Sequence, residues 1–460
     1  MTGNAYVTEG LAQWICSASY ARLPAAVRDK TVDVIYDSVG AMAACSILPE
    51  VKAIVELIEL QGGRPECTMI GHRMTSSVIN AVMANGGMAH GDEVDPVHST
   101  SVGGHVAAGP VPTALTVGEW LNASGQEVVR AVALGYEVGG RLMTIFYRER
   151  DYTSRRFYHT AVAANISSAV SAGVLLGLNR QALQVAMCLA AYQAAGPDNM
   201  TRDPGHMGKT FQVAAANRNG VTAALLARQG CFAPRDILDG THGLFDAYLN
   251  HPEASADLLH DLGRYYAITD VMHKRYAAGT PNQTYLQALF RLLQANHIGP
   301  DQIAQIEVHL PMRGVTRVPT TRHASIAAVK VCAIAAATGT LDFYQLHGPA
   351  GAVDAVIESM QPRITFVGRE DWTGMEQGRH AIVIIRTREG RTFEEDVWHQ
   401  PMTRAELEHK FRALVEPTFG AARTATLHRL WSDVETAASI RPLMQALRGS
   451  EPVPRGLRQS

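Results

Sequence analysis

Acidic and imidazole side chains are concentrated in residues 88–110, whose sequence is MAHGDEVDPVHSTSVGGHVAAGP. The segment carries His90, His98, His105, Asp92, Glu93 and Asp95. Neighbouring imidazoles and carboxylates are suited to general acid–base catalysis, in which one group removes a proton and another returns it. Glycine pairs at 86–87 and 103–104 border the segment and permit tight or left-handed turns. The pattern predicts a catalytic loop between two helices; a solvated polar loop is the alternative.

Nitrogen and oxygen atoms of this loop could also bind a metal ion. Their spacing matches neither the ligand patterns of zinc sites nor that of a calcium-binding EF-hand. A carboxylate and a histidine can act as base and acid without an ion. Metal binding is therefore the weaker interpretation, and we expect no metal at this loop.

Two basic residues further along the chain stand at predicted helix starts. His159 directly precedes an Ala-rich helix that Thr160 could cap, and Lys209 directly precedes another helix. A helix N-terminus favours anions because its first backbone N–H groups are unpaired and its dipole is positive there. Both residues are therefore candidates for holding a carboxylate; a purely structural histidine is the alternative for His159.

Two further lysines have more than one interpretation. Lys274 lies in the run His273–Lys274–Arg275, and consecutive basic residues are usually a solvated face. Lys330 lies among small apolar residues, so it either extends to solvent or is buried with a lowered pKa. A buried lysine would suit a base or a partner for a carboxylate. The sequence alone does not choose between these environments.

The chemistry that these groups share is proton transfer beside an anion. Cations would hold a carboxylate, and a base would remove the proton α to it. The sequence contains no nucleophile elbow, P-loop or set of kinase motifs that would indicate a different reaction.

Helices must position this loop, and the first 265 residues have helical periodicity almost throughout. Helices are predicted over 24–45 and 49–62. The next helix would be capped by Thr75 or Ser76 and broken at residues 85–87, just before the loop. Further helices are predicted over 110–120, 126–143, with a capping box at Ser124–Glu127, and 210–229.

The pattern changes near residue 265. Alternating apolar residues predict a strand at 306–310, and two β-rich runs around Glu389–Gly390 predict a hairpin. Helical stretches are predicted at 324–338 and 351–360, and a capping box at Thr403–Glu406 returns the chain to helix. We predict a mainly α protein. Its large all-helical domain would comprise residues 1–267 and 398–460, with a smaller α+β domain of residues 268–397 inserted.

Composition excludes several classes of protein. The formal net charge is -2 and there is no long basic block, so neither nucleic acid nor a membrane surface is an expected partner. The six cysteines are scattered without a CxxC motif, as in a reduced protein. No apolar run is long enough for a membrane span and no export signal is recognisable, so we expect a cytoplasmic protein.

Five segments, in order along the chain, resemble the MmgE/PrpD family. They are VINAVMANGGMAHGDEVD, VPTALTVGEWLNASGQEVVRAVALGYEVGGRL, FYHTAVAANISSAVSAGVLLGLNRQALQVAMCLAAYQAAG, GKTFQVAAANRNGVTAALLARQGCFAPRDILDG and QPMTRAELEHKFRALVEP. The family includes 2-methylcitrate dehydratase, cis-aconitate decarboxylase and iminodisuccinate epimerase. The resemblance therefore implies an enzyme of carboxylic acid metabolism.

The resemblance also implies a large helical domain, a small α+β domain, an active site between them, and commonly a homodimer. It implies no metal and no organic cofactor. The family's catalytic positions fall on Glu93, His105, His159, Lys209 and Lys274. We assign substrate binding to Asp95, His98, Thr160 and Lys330.

Several positions depart from the family pattern, and three of them change the residue type. Glu93 stands where the family has an aspartate, and Val97 stands where it has a threonine, so no hydrogen bond can be donated there. Lys330 falls near a position that is usually tyrosine. The cationic positions are kept, which favours retained anion binding with an altered substrate or reaction.

We expect a cofactor-independent lyase, of the dehydratase or decarboxylase type, acting on a small carboxylate. Lys209, Lys274 and His159 would hold the negative charge. Glu93 or His105 would move the proton α to a carboxylate. The alternatives are an epimerase or isomerase that uses the same proton abstraction, and a catalytically silent homologue that only binds a ligand.

Overall fold

The chain is mainly helical. In a computed structural model of it, the described residues are 6–101, 103–149, 157–199, 203, 205–315, 325–347, 354–372 and 379–449. The earlier helices are α1 (Val7–Ser17), α2 (Ala25–Cys45), α3 (Pro49–Gln61), α4 (Val78–Ala89), α5 (Pro110–Leu121), α6 (Gly125–Glu149), α7 (His159–Leu175), α8 (Arg180–Ala191), α9 (Met207–Arg228) and α10 (Leu244–Leu249). The later helices are α11 (Asn282–Ala295), α12 (Met312–Val315), α13 (Ala328–Thr338), α14 (Phe343–His347), α15 (Asp354–Met360), α16 (Arg404–Phe419), α17 (Ala421–Ser432) and α18 (Arg441–Ala446).

Both predicted capping boxes are confirmed. At the start of α6, Ser124 Oγ accepts from the Glu127 backbone N–H at 3.3 Å, and Glu127 Oε2 accepts from the Ser124 N–H at 2.7 Å. The same reciprocal pair joins Thr403 and Glu406 at the start of α16. These local pairs fix helix starts because each satisfies backbone donors that the helix leaves unpaired.

The predicted break of α4 at residues 85–87 is wrong, because the helix continues to Ala89. A Cβ atom on Gly86 would lie 2.7 Å from the side-chain nitrogen of Asn217 in α9, so the glycine serves close helix packing. Asn85 donates to the carbonyl of Thr68 at 3.0 Å and accepts from the Ile70 N–H at 3.1 Å. These residues join α4 to its neighbours and do not end it.

Other element boundaries also differ from the predictions. Ser77 is the N-cap of α4, so neither Thr75 nor Ser76 caps it. Helix α7 begins at His159, so Thr160 is its second residue and not its cap. Helix α9 begins at Met207, which places Lys209 within its first turn. The predicted starts at residues 324 and 351 lie outside the described residues; α13 and α15 are described from residues 328 and 354.

The main sheet lies between α11 and α16 in the chain. Its strands are β5 (Ile303–Pro311), β6 (Ile364–Arg369), β7 (His380–Thr387) and β8 (Thr392–Trp398), in the spatial order β6-β5-β7-β8. The predicted strand and hairpin correspond to β5 and to β7–β8, with Gly390 at φ 81° in the turn. Strand β6, which pairs parallel to β5, was not predicted.

Two short strand pairs involve residues that lie among the helices. Residues 1–267 are therefore not purely helical, which differs from the prediction. Strand β1 (Cys67–Thr68) pairs with β2 (Thr75–Ser76). Strand β3 (Val97–His98) pairs antiparallel with β4 (Val271–Met272), with Val97 opposite Met272. The second pair joins the loop after α4 to the segment that carries Lys274.

The buried apolar residues form two clusters. One extends through the helices up to Ala277 and includes residues of the C-terminal helices such as Leu407, Phe411 and Trp431. The other lies within residues 278–397, between α11, α13 and the main sheet. The proposed domain boundaries and the description of the smaller domain as an insertion stay predictions. Among the described residues, no helix has the length and apolar character needed to cross a membrane.

Candidate active site

The loop after α4 is the centre of a buried cluster of ionisable side chains. The close packing of α4 on α9 brings Lys209 to this loop. The pairing of β3 with β4 brings Lys274, two residues beyond β4, to the same place. Tyr158, directly before α7, approaches from a third side.

Glu93 bridges the two lysines. Its Oε1 lies 2.8 Å from Lys209 Nζ, and its Oε2 lies 2.6 Å from Lys274 Nζ. The side chains of the two lysines are 1% and 0% exposed, so this charge pairing is shielded from solvent. Burial raises the pKa of Glu93, but Lys209 and Lys274 more than offset this and hold the pKa well below its usual value. Glu93 is therefore ionised.

Asp95 bridges two histidines. Its carboxylate lies 3.1 Å from His90 Nδ1 and 2.8 Å from His105 Nδ1. Burial raises the pKa of Asp95, but His105, Lys274 and His90 together hold it well below its usual value. Because an ionised carboxylate only accepts hydrogen bonds, we assign the proton of each imidazole to Nδ1.

The Nε2 atoms of these histidines consequently carry lone pairs. His90 Nε2 accepts from the hydroxyl of Tyr158. His105 Nε2 faces Glu93, with 3.8 Å between it and Oε2. Burial lowers the pKa of both histidines, that of His90 to about 3, so both rings are neutral. A neutral imidazole oriented by a carboxylate, with its second nitrogen free to accept a proton, is the arrangement of a general base.

Asp92 connects the cluster to the later part of the chain. Its carboxylate accepts from Ser325 Oγ at 2.5 Å and lies 2.6 Å from His347 Nε2. His206, which precedes α9, approaches it to 3.7 Å. Burial lowers the pKa of His347, but its bond to Asp92 more than compensates and leaves the pKa raised.

A second layer of charges supports the loop and Lys274. Asp37 of α2 lies 2.7 Å from His273 Nδ1 and 2.6 Å from Lys410 Nζ. Lys410 of α16 also donates to the carbonyl of Val94 at 2.8 Å. Burial raises the pKa of Asp37, but Lys410 and His273 lower it by a larger amount. Asp37 is therefore ionised. This triad holds the backbone on both sides of the Glu93–Lys274 contact.

Four of the five predicted catalytic residues lie together: Glu93, His105, Lys209 and Lys274 are joined by the contacts above. His159 is half-buried as the first residue of α7, beside Tyr158 at the border of the cluster. Thr160 Oγ1 accepts from the His105 backbone N–H at 3.4 Å, so it contacts the base residue directly. The catalytic roles themselves stay predictions.

Two predicted binding residues lie elsewhere. His98 is fully buried, and its side chain makes a 3.1 Å hydrogen bond to Ser101 and an edge contact with the ring of Tyr136, away from the lysine pair. Lys330 is exposed on α13, so the solvent-extended alternative describes it. Its assignment to substrate binding finds no support among the contacts of the described residues.

Several members of the cluster were not assigned a role from the sequence. His90 and Asp92 lie in the histidine- and acid-rich loop itself, so its composition was a usable signal for them. Lys410 lies within the C-terminal segment that resembles the family. His347 had no sequence signal, because its partner Asp92 is 255 positions away.

Within the described part of the chain, one group of side chains has a spacing compatible with a metal ion: His90, Asp95 and His105, whose ligand atoms lie within 4.8 Å of one another. The three side chains already satisfy one another through hydrogen bonds. The Lys274 ammonium, 3.4 Å from Asp95, adds a positive charge at the same place. This charge distribution fits a proton-handling group better than a cation site.

Two family models and several known proteins are similar to this chain in sequence. The family model of the MmgE/PrpD N-terminal domain matches residues 9–257, and the family model of the C-terminal domain matches residues 276–433. The cis-aconitate decarboxylase-like protein oryM of Aspergillus oryzae is 23% identical over 97% of this chain and 98% of its own length. The cis-aconitate decarboxylase of Aspergillus terreus is 26% identical over 52% of this chain and 49% of its own. That of Homo sapiens is 23% identical over 81% of this chain and 80% of its own. The chain belongs to the MmgE/PrpD family.

Proposed function

We propose that the protein is a lyase acting on a small carboxylate, and that His105 moves the proton. The observation that carries this proposal is the pairing of Asp95 with His105 Nδ1 at 2.8 Å, beside two buried lysines. The dyad supplies a base, and the lysines supply positive charge for a carboxylate. Both are needed to remove a proton α to a carboxylate, because the charge that develops on its oxygens must be stabilised.

His105 is a better base than Glu93. Its Nε2 is the unprotonated nitrogen of a neutral ring, whereas the two lysines stabilise Glu93 as a carboxylate and lower its basicity. In the proposed elimination, Nε2 takes the α-proton and the electrons of the C–H bond form the new C=C bond. A β-hydroxyl group leaves with its bonding electrons and takes a proton from the imidazolium, which releases water.

Loss of carbon dioxide would use the same groups in another order. The electrons of the C–C bond that breaks would pass to the remaining carbon skeleton, where the lysines stabilise the charge. His105 Nε2 would take up a proton from solvent and deliver it to this carbon. The relatives named as cis-aconitate decarboxylases support this version, and unsaturated tricarboxylates are therefore the first substrates to test.

The proposed chemistry uses side chains of this chain alone. The Asp95–His105 dyad supplies the proton acceptor that a metal-bound hydroxide supplies in other enzymes. The two ammoniums supply the positive charge that a metal ion would otherwise supply.

The test is turnover of a panel of di- and tricarboxylic acids that includes cis-aconitate, followed by proton NMR and by release of carbon dioxide. We expect at least one acid to lose water or carbon dioxide, and His105→Gln to slow this by about 100- to 10,000-fold. His260→Gln is the matched control, because the His260 side chain is 78% exposed. Equal turnover by wild type and His105→Gln, or no turnover of any acid, would refute the proposal.

A further inference from the structure

The charges around the lysine pair are already balanced. Lys209 and Lys274 supply two positive charges, and Glu93 and Asp95 supply two negative charges within contact distance. The only other titratable group in contact with Glu93 among the described residues is His105, which is neutral. A substrate carboxylate entering this group would add a negative charge that no cation compensates, which is costly in a buried site.

Glu93 also occupies the position that suits a substrate carboxylate. One of its oxygens contacts each lysine, at 2.8 Å and 2.6 Å, which is how a bound carboxylate would bridge two ammoniums. Lys209 Nζ is buried, and its ammonium group carries three N–H donors. Its ion pair with Glu93 therefore leaves N–H donors available for another oxygen.

We propose that Glu93 is a displaceable internal carboxylate, which holds the lysine pair until a substrate carboxylate replaces it and which then takes up a proton. The inference rests on the proposed function, because it assumes that carboxylates bind at the lysine pair. Once a substrate carboxylate replaces Glu93, the side chain no longer has its ammonium partners. A buried carboxyl group without a cation is more stable in its protonated form. The net charge of the site with substrate bound is then the same as that of the free site.

Proton uptake is the measurable consequence. Binding of one carboxylate at this place should take up about one proton from solution. Between pH 7 and 8.5, affinity should therefore fall about tenfold per pH unit, because one more proton is bound in the complex than in the free protein.

The probes are propane-1,2,3-tricarboxylate and butanedioate, which are saturated and carry no hydroxyl group to eliminate. Their carboxyl groups are essentially ionised above pH 7, so a proton taken up on binding goes to the protein. Calorimetric titration in two buffers of different ionisation enthalpy gives the number of protons taken up. We expect a value near one for the wild type and near zero for Glu93→Gln, whose binding should not depend on pH in this range.

Two controls identify the group that takes the proton. Glu50 is buried near Lys209, and burial raises its pKa to about 7, so Glu50→Gln removes a second carboxyl group that could take up the proton. His105→Gln removes the imidazole that faces Glu93. Uptake should persist in both variants. If Glu93→Gln does not fold, infrared difference spectra of wild type and Glu50→Gln with and without probe still test the inference, because a protonated carboxyl group must appear on binding and its absence would refute the inference.

Three results would overturn the inference. Tight binding without proton uptake by the wild type would leave carboxylate binding, and with it the proposed function, intact while refuting displacement of Glu93. Uptake that is unchanged in Glu93→Gln would assign the proton to another group. Failure of both probes to bind at all would contradict the proposed function as well.

Discussion

His105 Nδ1 lies 2.8 Å from the nearer carboxylate oxygen of Asp95, and the two side chains are 9% and 2% exposed. The contact determines which ring nitrogen carries the proton, and therefore that Nε2 faces Glu93 as a base. Asp95 also bonds His90, whose other nitrogen accepts from Tyr158. Asp95 thus fixes both rings through their Nδ1 atoms.

Asp95→Asn should lower kcat strongly while leaving carboxylate binding intact. An asparagine can present its amide N–H to His105 Nδ1, which would favour the wrong tautomer and place the proton on Nε2. We expect a loss in kcat of about 100- to 10,000-fold. The affinity for propane-1,2,3-tricarboxylate should not weaken, because both lysines remain. Asp301→Asn, at an exposed position, is the control, and full kcat in Asp95→Asn would show that the dyad is not the base.

Lys410→Met should destabilise the protein although Lys410 belongs to the second layer of charges and not to the cluster around Glu93. It removes the cation 2.6 Å from buried Asp37 and the donor to Val94. Removing one partner of a buried ion pair costs about 3–5 kcal/mol. Equilibrium denaturation measures the loss of unfolding free energy.

The double variant Asp37→Asn/Lys410→Met tests the cause of that loss. It removes the unpaired charge and keeps an acceptor for His273, so most of the stability should return. Lys52→Met, whose side chain is 46% exposed, should have little effect. A double variant as unstable as Lys410→Met alone would mean that the charge pairing is not responsible.

Stability should depend on pH through Glu50. Burial raises the pKa of Glu50 in the folded protein to about 7, so the folded state keeps a proton that the unfolded chain has lost. The free energy of unfolding should therefore fall as pH rises from about 4.5 to about 7, by at most about 3 kcal/mol. Glu50→Gln should abolish this part of the fall, whereas Glu56→Gln, on the same helix with a side chain 60% exposed, should retain it. Identical pH profiles for wild type and Glu50→Gln would contradict the assignment.

Gly86→Ala should be more destabilising than Gly87→Ala. A Cβ at Gly86 would lie 2.7 Å from Asn217 Nδ2 and 2.9 Å from its Cγ, whereas a Cβ at Gly87 would lie 3.1 Å from the end of the Ile54 side chain. Asn217 is fixed by hydrogen bonds to Thr113 and Ala108, so it cannot yield easily. We expect a cost of about 1–3 kcal/mol for Gly86→Ala. Thermal unfolding of the two variants gives the comparison, and equal midpoints would show that α4 and α9 separate without cost.

Local patterns predicted much of the fold. Apolar periodicity and the pairs Ser124–Glu127 and Thr403–Glu406 identified helices correctly because their causes lie within a few residues. The continuation of α4 through residues 85–87 could not be predicted in this way. It depends on Asn217, which is distant in the sequence and close only after folding.

The candidate active site shows the same difference between features with local causes and features that depend on distant residues. Residue types and the family resemblance identified Glu93, His105, Lys209 and Lys274, which the structure brings into contact. They did not indicate that Glu93 would bridge both lysines, because that depends on distances between three separate segments. For the same reason, the sequence left the choice of base between Glu93 and His105 open.

Turnover in deuterated water tests the central claim most directly, namely that His105 moves a proton from carbon during loss of water or to carbon during loss of carbon dioxide. Wild type and His105→Gln are incubated in deuterated water with the acid that turns over, and substrate and product are followed by mass spectrometry. We predict that the wild type either releases carbon dioxide and delivers a deuterium to the product carbon, or releases water and forms a product that lacks the α-proton of the substrate. Either loss should be about 100-fold slower or more in His105→Gln. Equal rates in the two proteins would contradict the role of His105, and incorporation without either loss would contradict a lyase and favour an epimerase.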